Sequence, residues 1–317
     1  MKYRILGRTG LKVSEIGFGA WAIGGTGYGP TNDQESLQAL QTAFEKGVNF
    51  FDTADVYGDG WSESLLAEFL KGKKRDEVII ASKAGWDFYH DGNRKNFNSD
   101  YLTYACEESL KRLKIEAIDV YQLHNPSLEL IKKGEALGAL QKLQKAGKIR
   151  FIGISIHSEE EGVAAMEDGR VDTLQLVFHL LNQKMADKVF AKAKEKNTGL
   201  IAREPLACGL LSGKYQPGHE FVKTDHRRRW TLERMELEFQ KIEKIKKVLP
   251  TERFSLARAA LEYILDFEEI STVIPGVKTK EQALENIKAS TDPRLRSQEA
   301  FQIRELYQRE EIFRQEF

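Results

Sequence analysis

Short apolar runs alternate with amphipathic stretches along most of the 317-residue chain. The runs are four to six residues long and rich in Ile, Val, Leu and Phe, which is typical of parallel strands buried on both faces. The pattern predicts eight such strands, at 14–18, 49–52, 78–83, 118–123, 149–154, 173–177, 199–202 and 271–274.

Helical periodicity separates these runs. Helices are predicted at 33–46, 62–70, 99–113, 128–146, 159–168, 185–196, 256–265 and 281–289, and Gly47 and Gly147 follow two of them as C-cap residues. Strict strand–helix alternation indicates right-handed βαβ units around a parallel sheet. Eight units predict an α/β protein of the (β/α)8 TIM-barrel class, with residues 1–317 forming one domain.

Three segments lie outside the alternation. Residues 3–13, with Thr9-Gly10 as the turn, predict an N-terminal β-hairpin that closes the bottom of the barrel. Residues 212–225 carry glycine and proline without periodicity and predict a functional loop. A charged helix at 232–248 follows, so we expect extra C-terminal helices outside the barrel.

An open doubly wound sheet is the alternative architecture. It would place G-x-G-x-x-G after its first strand to bind a dinucleotide. Gly17-Phe18-Gly19 is followed by Ala20-Trp21-Ala22, so the third glycine is missing and this alternative is discounted.

Composition narrows the functional classes. Lys plus Arg and Asp plus Glu each total 48, which argues against a nucleic-acid partner, and we expect the basic run 226–229 to be a solvated loop. Cys106 and Cys208 are far apart, which favours a reducing compartment. No apolar run approaches the roughly 20 residues of a membrane span, nor does the N-terminus resemble a signal peptide. We therefore expect a cytoplasmic protein without a membrane partner.

Polar residues end several predicted strands, and in this fold the carboxyl ends of the strands carry function. These residues are Asp52, Lys83, His124, Ser155 and Arg203, and Tyr57 lies in the loop after the second strand. Each alone has a structural explanation, such as packing for Tyr57 or snorkelling for Lys83. Their convergence on one rim favours catalysis.

The set suits acid catalysis of carbonyl reduction. We expect Lys83 to lower the pKa of Tyr57, Asp52 to hold Lys83 charged, and His124 to orient the substrate oxygen. A cofactor would then supply hydride. The set has no Ser–His pair and no ligand spacing typical of a metal site.

At these residues the chain resembles the aldo-keto reductase family. Residues 51–58 resemble its D-T-A-x-x-Y-G motif, 119–124 its D-x-Y-x-x-H motif, and 153–155 its G-x-S. Residues 201–215 and 274–286 resemble its two cofactor elements. The opening, 4–21, resembles a bacterial-type branch that is also similar to potassium-channel β-subunits.

The resemblance implies catalytic roles for Tyr57, Lys83, Asp52 and His124, and a nicotinamide cofactor. Its contacts would be Trp21, Asp52, Ser155, Gln175, Arg203, Leu206, Cys208, Gly209, Lys214, Arg227, Gly276, Lys278, Gln282, Glu285 and Asn286. Thr279 and Gln282 also predict a capping box that opens a helix, where phosphate is favoured. Lys278 stands beside it, so we expect NADPH to be preferred over NADH.

Two positions depart from the family pattern. Ile156 stands where many members have asparagine, so one hydrogen bond to the cofactor carboxamide is predicted to be missing. Arg203 stands where many have an aromatic residue that stacks on nicotinamide, and a guanidinium can stack in its place. We expect altered cofactor affinity.

The substrate is predicted to be a small carbonyl compound or alcohol. Trp21, Val56, Trp86, Phe88 and Asn125 are expected to line its pocket, and aromatic walls suit apolar aldehydes and ketones. A regulatory subunit that senses NADPH with little turnover is the alternative function. A barrel acting on phosphorylated sugars is a weaker one, and the oligomeric state stays open.

Overall fold

The computed structural model describes residues 1–25, 27–90, 94–249, 253–293 and 295–315. In this part of the chain the strands are β1 (Tyr3–Ile5), β2 (Lys12–Ser14), β3 (Phe18–Gly19), β4 (Phe50–Asp52), β5 (Ile79–Ala84), β6 (Trp86–Asp87), β7 (Arg94–Lys95), β8 (Ile118–His124), β9 (Ile149–Ser155), β10 (Thr173–Val177), β11 (Gly199–Arg203) and β12 (Ile270–Ile274).

The helices of the same ranges surround these strands. They are α1 (Asp33–Glu45), α2 (Trp61–Leu70), α3 (Ser99–Leu113), α4 (Leu128–Lys133), α5 (Glu135–Lys145), α6 (Glu159–Asp168), α7 (Ala191–Lys196), α8 (Leu232–Val248), α9 (Leu256–Leu265), α10 (Lys280–Thr291) and α11 (Ser297–Arg309). None of them combines the length and the hydropathy that a bilayer crossing requires.

Eight strands form one parallel sheet, in the order β3, β4, β5, β8, β9, β10, β11, β12. The sheet closes on itself because Gly17 N–H donates to the Val273 carbonyl (2.8 Å) and Gly19 N–H to the Pro275 carbonyl (2.9 Å). A Cβ on Gly19 would lie 2.9 Å from the Ile274 carbonyl oxygen, so this approach requires glycine. The predicted (β/α)8 barrel is confirmed.

The first barrel strand was predicted at 14–18 but is only Phe18–Gly19. Ser14 instead ends β2, where its N–H donates to Asn49 Oδ1 at 2.7 Å. Strands β1 and β2 pair antiparallel, as predicted. Leu6 and Val13 pack with Phe50 and Val120 inside the lower end of the barrel, so the hairpin closes its bottom.

Two predicted helices differ from the structure. The helix expected at 128–146 is broken at Gly134, whose φ of 70° ends α4 and begins α5. A Cβ there would lie 2.4 Å from Arg170 Nη2, so a tertiary contact reinforces the break. The segment expected at 185–196 begins with a π-helical turn, Ala186–Phe190, before α7.

Two further features lie outside the alternation. Strands β6 and β7 form an unpredicted hairpin directly after β5. Helices α8 and α11 pack against each other after the seventh and eighth barrel strands, which confirms the expected extra C-terminal helices. The main hydrophobic core lies between the sheet and its helices.

Candidate active site

The carboxyl ends of neighbouring strands bring three of the predicted catalytic side chains together. Asp52 is the last residue of β4, Lys83 lies one residue before the end of β5, and His124 ends β8. Lys83 Nζ donates to Asp52 Oδ1 at 2.5 Å and to the Thr53 carbonyl at 2.8 Å. The Lys83 and Asp52 side chains are 1% and 3% exposed, so the pair is isolated from bulk solvent.

Tyr57 reaches this pair from the loop after β4. Thr53 N–H donates to the Ala81 carbonyl (2.8 Å) and Asp55 N–H to the Lys83 carbonyl (3.1 Å), so the loop continues along β5 before it turns away. Tyr57 Oη lies 3.4 Å from Lys83 Nζ. The Tyr57 ring stacks on Trp21, with centroids 5.7 Å apart and planes at 19°.

Burial and the nearby charges set the protonation states of this group. Burial raises the pKa of Tyr57, and Lys83 only partly offsets it. Lys83 acts on this pKa in the expected direction, but burial outweighs it and the net shift is upward. Burial also opposes the charge of Lys83, but Asp52 and Tyr57 together raise the pKa of the ammonium. At neutral pH a protonated phenol faces a charged ammonium.

His124 is neutral under the same conditions. Burial, reinforced by Lys83 and Arg203, holds the pKa of His124 well below its usual value. Its Nδ1 is buried and has no hydrogen-bond partner among the described residues. A buried N–H without an acceptor is rarer than an unused acceptor, so the proton resides on Nε2. His124 is thus arranged as a neutral hydrogen-bond donor.

Two glutamines complete the shell around Asp52. Gln122 Nε2 donates to Asp52 Oδ2 at 3.2 Å and Gln175 Nε2 to the same oxygen at 2.7 Å. Gln122 was missed from the sequence. Its signal was present, because it lies two residues before His124 and residues two apart share one face of a strand.

A cavity of about 530 Å³ opens above this cluster. Of the residues predicted to line a substrate pocket, Trp21, Val56, Trp86 and Asn125 line this cavity. Phe88 is not part of this lining, because it turns outward onto Tyr89, with ring centroids 4.0 Å apart. Tyr28 and His226, which the sequence did not single out, line the cavity and pack against Trp21.

Several residues predicted to contact a cofactor share the cavity. They are Trp21, Asp52, Ser155, Gln175, Arg203 and Gly276. Arg203 forms an ion pair with Glu204, and its Nη2 donates to the Ile156 carbonyl at 3.3 Å. The Ile156 side chain is fully buried and points to α6, where a Cβ on Gly162 would lie 2.9 Å from Ile156 Cδ1.

The loop after β11 and the start of α10 carry the remaining predicted contacts. Leu206, Cys208, Gly209 and Lys214 lie on the loop; Lys278, Gln282, Glu285 and Asn286 lie at or just before α10. Lys278 Nζ donates to the Tyr28 carbonyl at 2.6 Å and to the Pro30 carbonyl at 3.2 Å. The Asn286 side-chain nitrogen is buried and has no hydrogen-bond partner in the part of the chain that the structure describes.

The predicted capping box at α10 takes a variant form. Thr279 Oγ1 accepts from the Gln282 N–H at 3.4 Å, as expected for an N-cap. The Gln282 side chain accepts from Lys278 N–H at 2.8 Å rather than from Thr279 N–H. The side chain of Gln282 therefore binds the backbone of the residue before the N-cap rather than that of the N-cap itself.

Arg227 does not lie in a solvated loop, contrary to the expectation for 226–229. It is 3% exposed because Asp225 accepts from its Nε (2.9 Å) and Nη2 (2.6 Å), and the Cys208 carbonyl accepts from Nη1 (2.7 Å). Its guanidinium links the loop after β11 to the segment before α8. Contact with a cofactor stays a prediction for this residue.

A model of the aldo/keto reductase family matches residues 15–308. Aldo-keto reductase YhdN of Bacillus subtilis is 34% identical over 72% of this chain and 69% of its own length. Aldo-keto reductase yakc [NADP(+)] of Schizosaccharomyces pombe is 30% identical over 87% and 84%. The solved holo form of aldo-keto reductase AKR11C1 from Bacillus halodurans aligns with a TM-score of 0.81 at 28% identity, covering 96% of each chain.

Proposed function

This chain belongs to the aldo/keto reductase family, and from that premise we propose that it reduces aldehydes or ketones to alcohols with NADPH. The observation that carries the proposal is the chain of contacts from Asp52 through Lys83 to Tyr57, at 2.5 Å and 3.4 Å. It ends in the wall of a cavity that His124 shares.

The proposed roles follow from protonation and position. When bound, the nicotinamide supplies hydride to the carbonyl carbon. His124 Nε2 donates a hydrogen bond to the carbonyl oxygen and fixes its angle. Tyr57 gives its proton to that oxygen, and Lys83 stabilises the phenolate that remains. Asp52 holds the ammonium in place, so the positive charge is preorganised where negative charge develops.

The residues around the cavity suit a nicotinamide nucleotide. Ser155 and Gln175 present polar atoms at the inner end, beside Asp52. Gly276 is part of the cavity lining, and Lys278 and the start of α10 follow it in the chain. A helix N-terminus favours phosphate. Among the residues that the structure describes, the Lys278 ammonium donates to neutral carbonyls alone, those of Tyr28, Gly29 and Pro30. A 2′-phosphate would be its stronger partner, which favours NADPH over NADH.

Oxidation of NADPH in the presence of a panel of aldehydes and ketones tests the proposal. Tyr57→Phe is expected to lower turnover at least about 100-fold, because proton transfer contributes that much. Its affinity for NADPH should stay near that of the wild type. Tyr104→Phe is the matched control, since Tyr104 is 44% exposed on α3.

The outcomes separate the candidate functions. Equal loss of turnover and of NADPH affinity in Tyr57→Phe would contradict the assigned role. Tight NADPH binding by the wild type without turnover of any carbonyl compound would favour the sensing subunit instead. Absence of binding would refute the cofactor assignment itself.

A further inference from the structure

Asn125 is held at the cavity wall by hydrogen bonds from two other strands, β7 and β9. It follows His124 at the end of β8 with a φ of 57°, in the left-handed region that asparagine tolerates better than most residues. Its Oδ1 accepts from Ser155 Oγ at 2.8 Å. Its backbone carbonyl accepts from Lys95 Nζ at 2.7 Å. Backbone and side chain are thus both fixed before any ligand arrives.

The side-chain nitrogen of Asn125, Nδ2, makes no hydrogen bond to another described residue. With Oδ1 turned toward Ser155, the two hydrogens of Nδ2 remain. No acceptor for them lies within hydrogen-bond distance among the residues the structure describes. The side chain is half-buried and lines the cavity beside Ser155 and Gln175. A directed amide donor therefore faces the cavity.

A carboxamide needs a donor for its oxygen and an acceptor for its nitrogen. Gln175 Nε2 is committed to Asp52 (2.7 Å) and to Gln122 (3.3 Å), which leaves Gln175 Oε1 as an acceptor. The hydroxyl hydrogen of Ser155 is given to Asn125. Ile156, the next residue, is directed into the core. Of Ser155, Ile156, Gln175 and Asn125, only Asn125 has an amide donor for which the described residues provide no acceptor.

We propose that Asn125 is a cofactor-binding residue, whose Nδ2 donates to the oxygen of the nicotinamide carboxamide while Gln175 Oε1 accepts from its nitrogen. The assignment rests on the proposed function. It moves Asn125 from the substrate pocket, where sequence alone placed it, to the cofactor. It also supplies the hydrogen bond that Ile156 cannot make.

Two variants and two ligands test this assignment without any turnover. Asn125→Asp keeps the shape and the acceptor for Ser155 but lacks the amide donor. Asn125→Gly removes the side chain, and glycine adopts a positive φ without strain. The ligands are NADPH and 2′-phospho-ADP-ribose, which lacks the nicotinamide. Both variants should bind NADPH about 3- to 10-fold more weakly, the range of one hydrogen bond, and bind the fragment like the wild type.

A third ligand locates the contact on the carboxamide oxygen. The reduced thionicotinamide analogue replaces that oxygen by sulfur, a weaker acceptor. The wild type should prefer NADPH over it, and Asn125→Gly should lose most of that preference. Thermal melting of each variant shows that the fold is retained.

Unchanged NADPH affinity in both variants would overturn the assignment, as would equal weakening of NADPH and of the fragment. Either result would leave the proposed function intact. Failure of the wild type to bind NADPH would overturn the proposed function and this assignment together.

Discussion

Replacing Arg112 by Met tests how far this fold depends on one buried ion pair. Arg112 Nε donates to Glu63 Oε2 at 2.7 Å, and Ser82 Oγ donates to Glu63 Oε1 at 2.6 Å. The Glu63 side chain is fully buried and that of Arg112 is 18% exposed. The pair joins α2 to α3, and Arg112 Nη2 also donates to Tyr89 Oη in the loop after β6.

The expected cost follows from what remains after the change. Met fills a similar volume, but the Glu63 carboxylate keeps only the Ser82 hydroxyl as a partner. Removing one member of a buried pair costs about 3–5 kcal/mol, because an uncompensated charge is left out of water.

Equilibrium unfolding in urea measures this free energy. Tyr89→Phe removes only the outer hydrogen bond and should cost about 1 kcal/mol. Lys133→Met breaks the exposed Glu129–Lys133 pair and should leave the midpoint unchanged. Glu63→Gln combined with Arg112→Met removes both charges and should recover most of the loss. A loss for Arg112→Met no larger than that of Tyr89→Phe would refute this reasoning.

Three further predictions follow from the charges of the site. Lys278→Met should weaken the binding of NADPH at least about 10-fold in fluorescence titration and leave the binding of NADH unchanged, with Lys280→Met as the control. Equal weakening of the binding of both nucleotides would contradict a 2′-phosphate contact. Burial, reinforced by Glu63, raises the pKa of Asp55, so its contribution to stability falls as pH rises from about 4 through that raised pKa. Asp55→Asn should therefore be more stable than the wild type at pH 7 but not at pH 4; urea midpoints that differ equally at both pH values would argue against it. Because burial keeps His124 neutral, kcat/KM for carbonyl reduction should show no pKa near 6.5. A pKa of that kind that disappears in His124→Gln would show that the imidazole titrates in the working range.

The barrel and the inner rim were predictable because local sequence determines them. A parallel strand buried on both faces is an apolar run, and a polar residue at its end stands out, as Asp52 and His124 do. The rim position then follows from the fold class, since all eight strands point the same way. No knowledge of distant contacts is needed for this step.

The features that could not be predicted depend on residues far apart in the chain. Gly134 looks like one residue of a long helix until Arg170, 36 positions later, is packed against it. From the sequence, Arg227 is predicted to belong to a solvated basic run. In the structure it is buried because it donates hydrogen bonds to Asp225 and to the Cys208 carbonyl. The net pKa shift of Tyr57 is a balance between burial and charge, and the sequence contains only the charges.

Two of the buried ion pairs in the described part of the chain, Lys83–Asp52 and Arg112–Glu63, are explained differently. A buried pair contributes little net stability, since desolvation offsets most of the attraction. Arg112 and Glu63 lie outside the cavity lining, and their partners are protein groups, so their contribution is structural. Lys83 donates two of its hydrogens to Asp52 and to the Thr53 carbonyl. Its third is directed toward Tyr57 at 3.4 Å, a long contact for an ammonium. A pair of apolar side chains would fill the same space without the desolvation cost of burying two charges. The position of this lysine is therefore better explained by the phenol that it faces than by the fold that it supports.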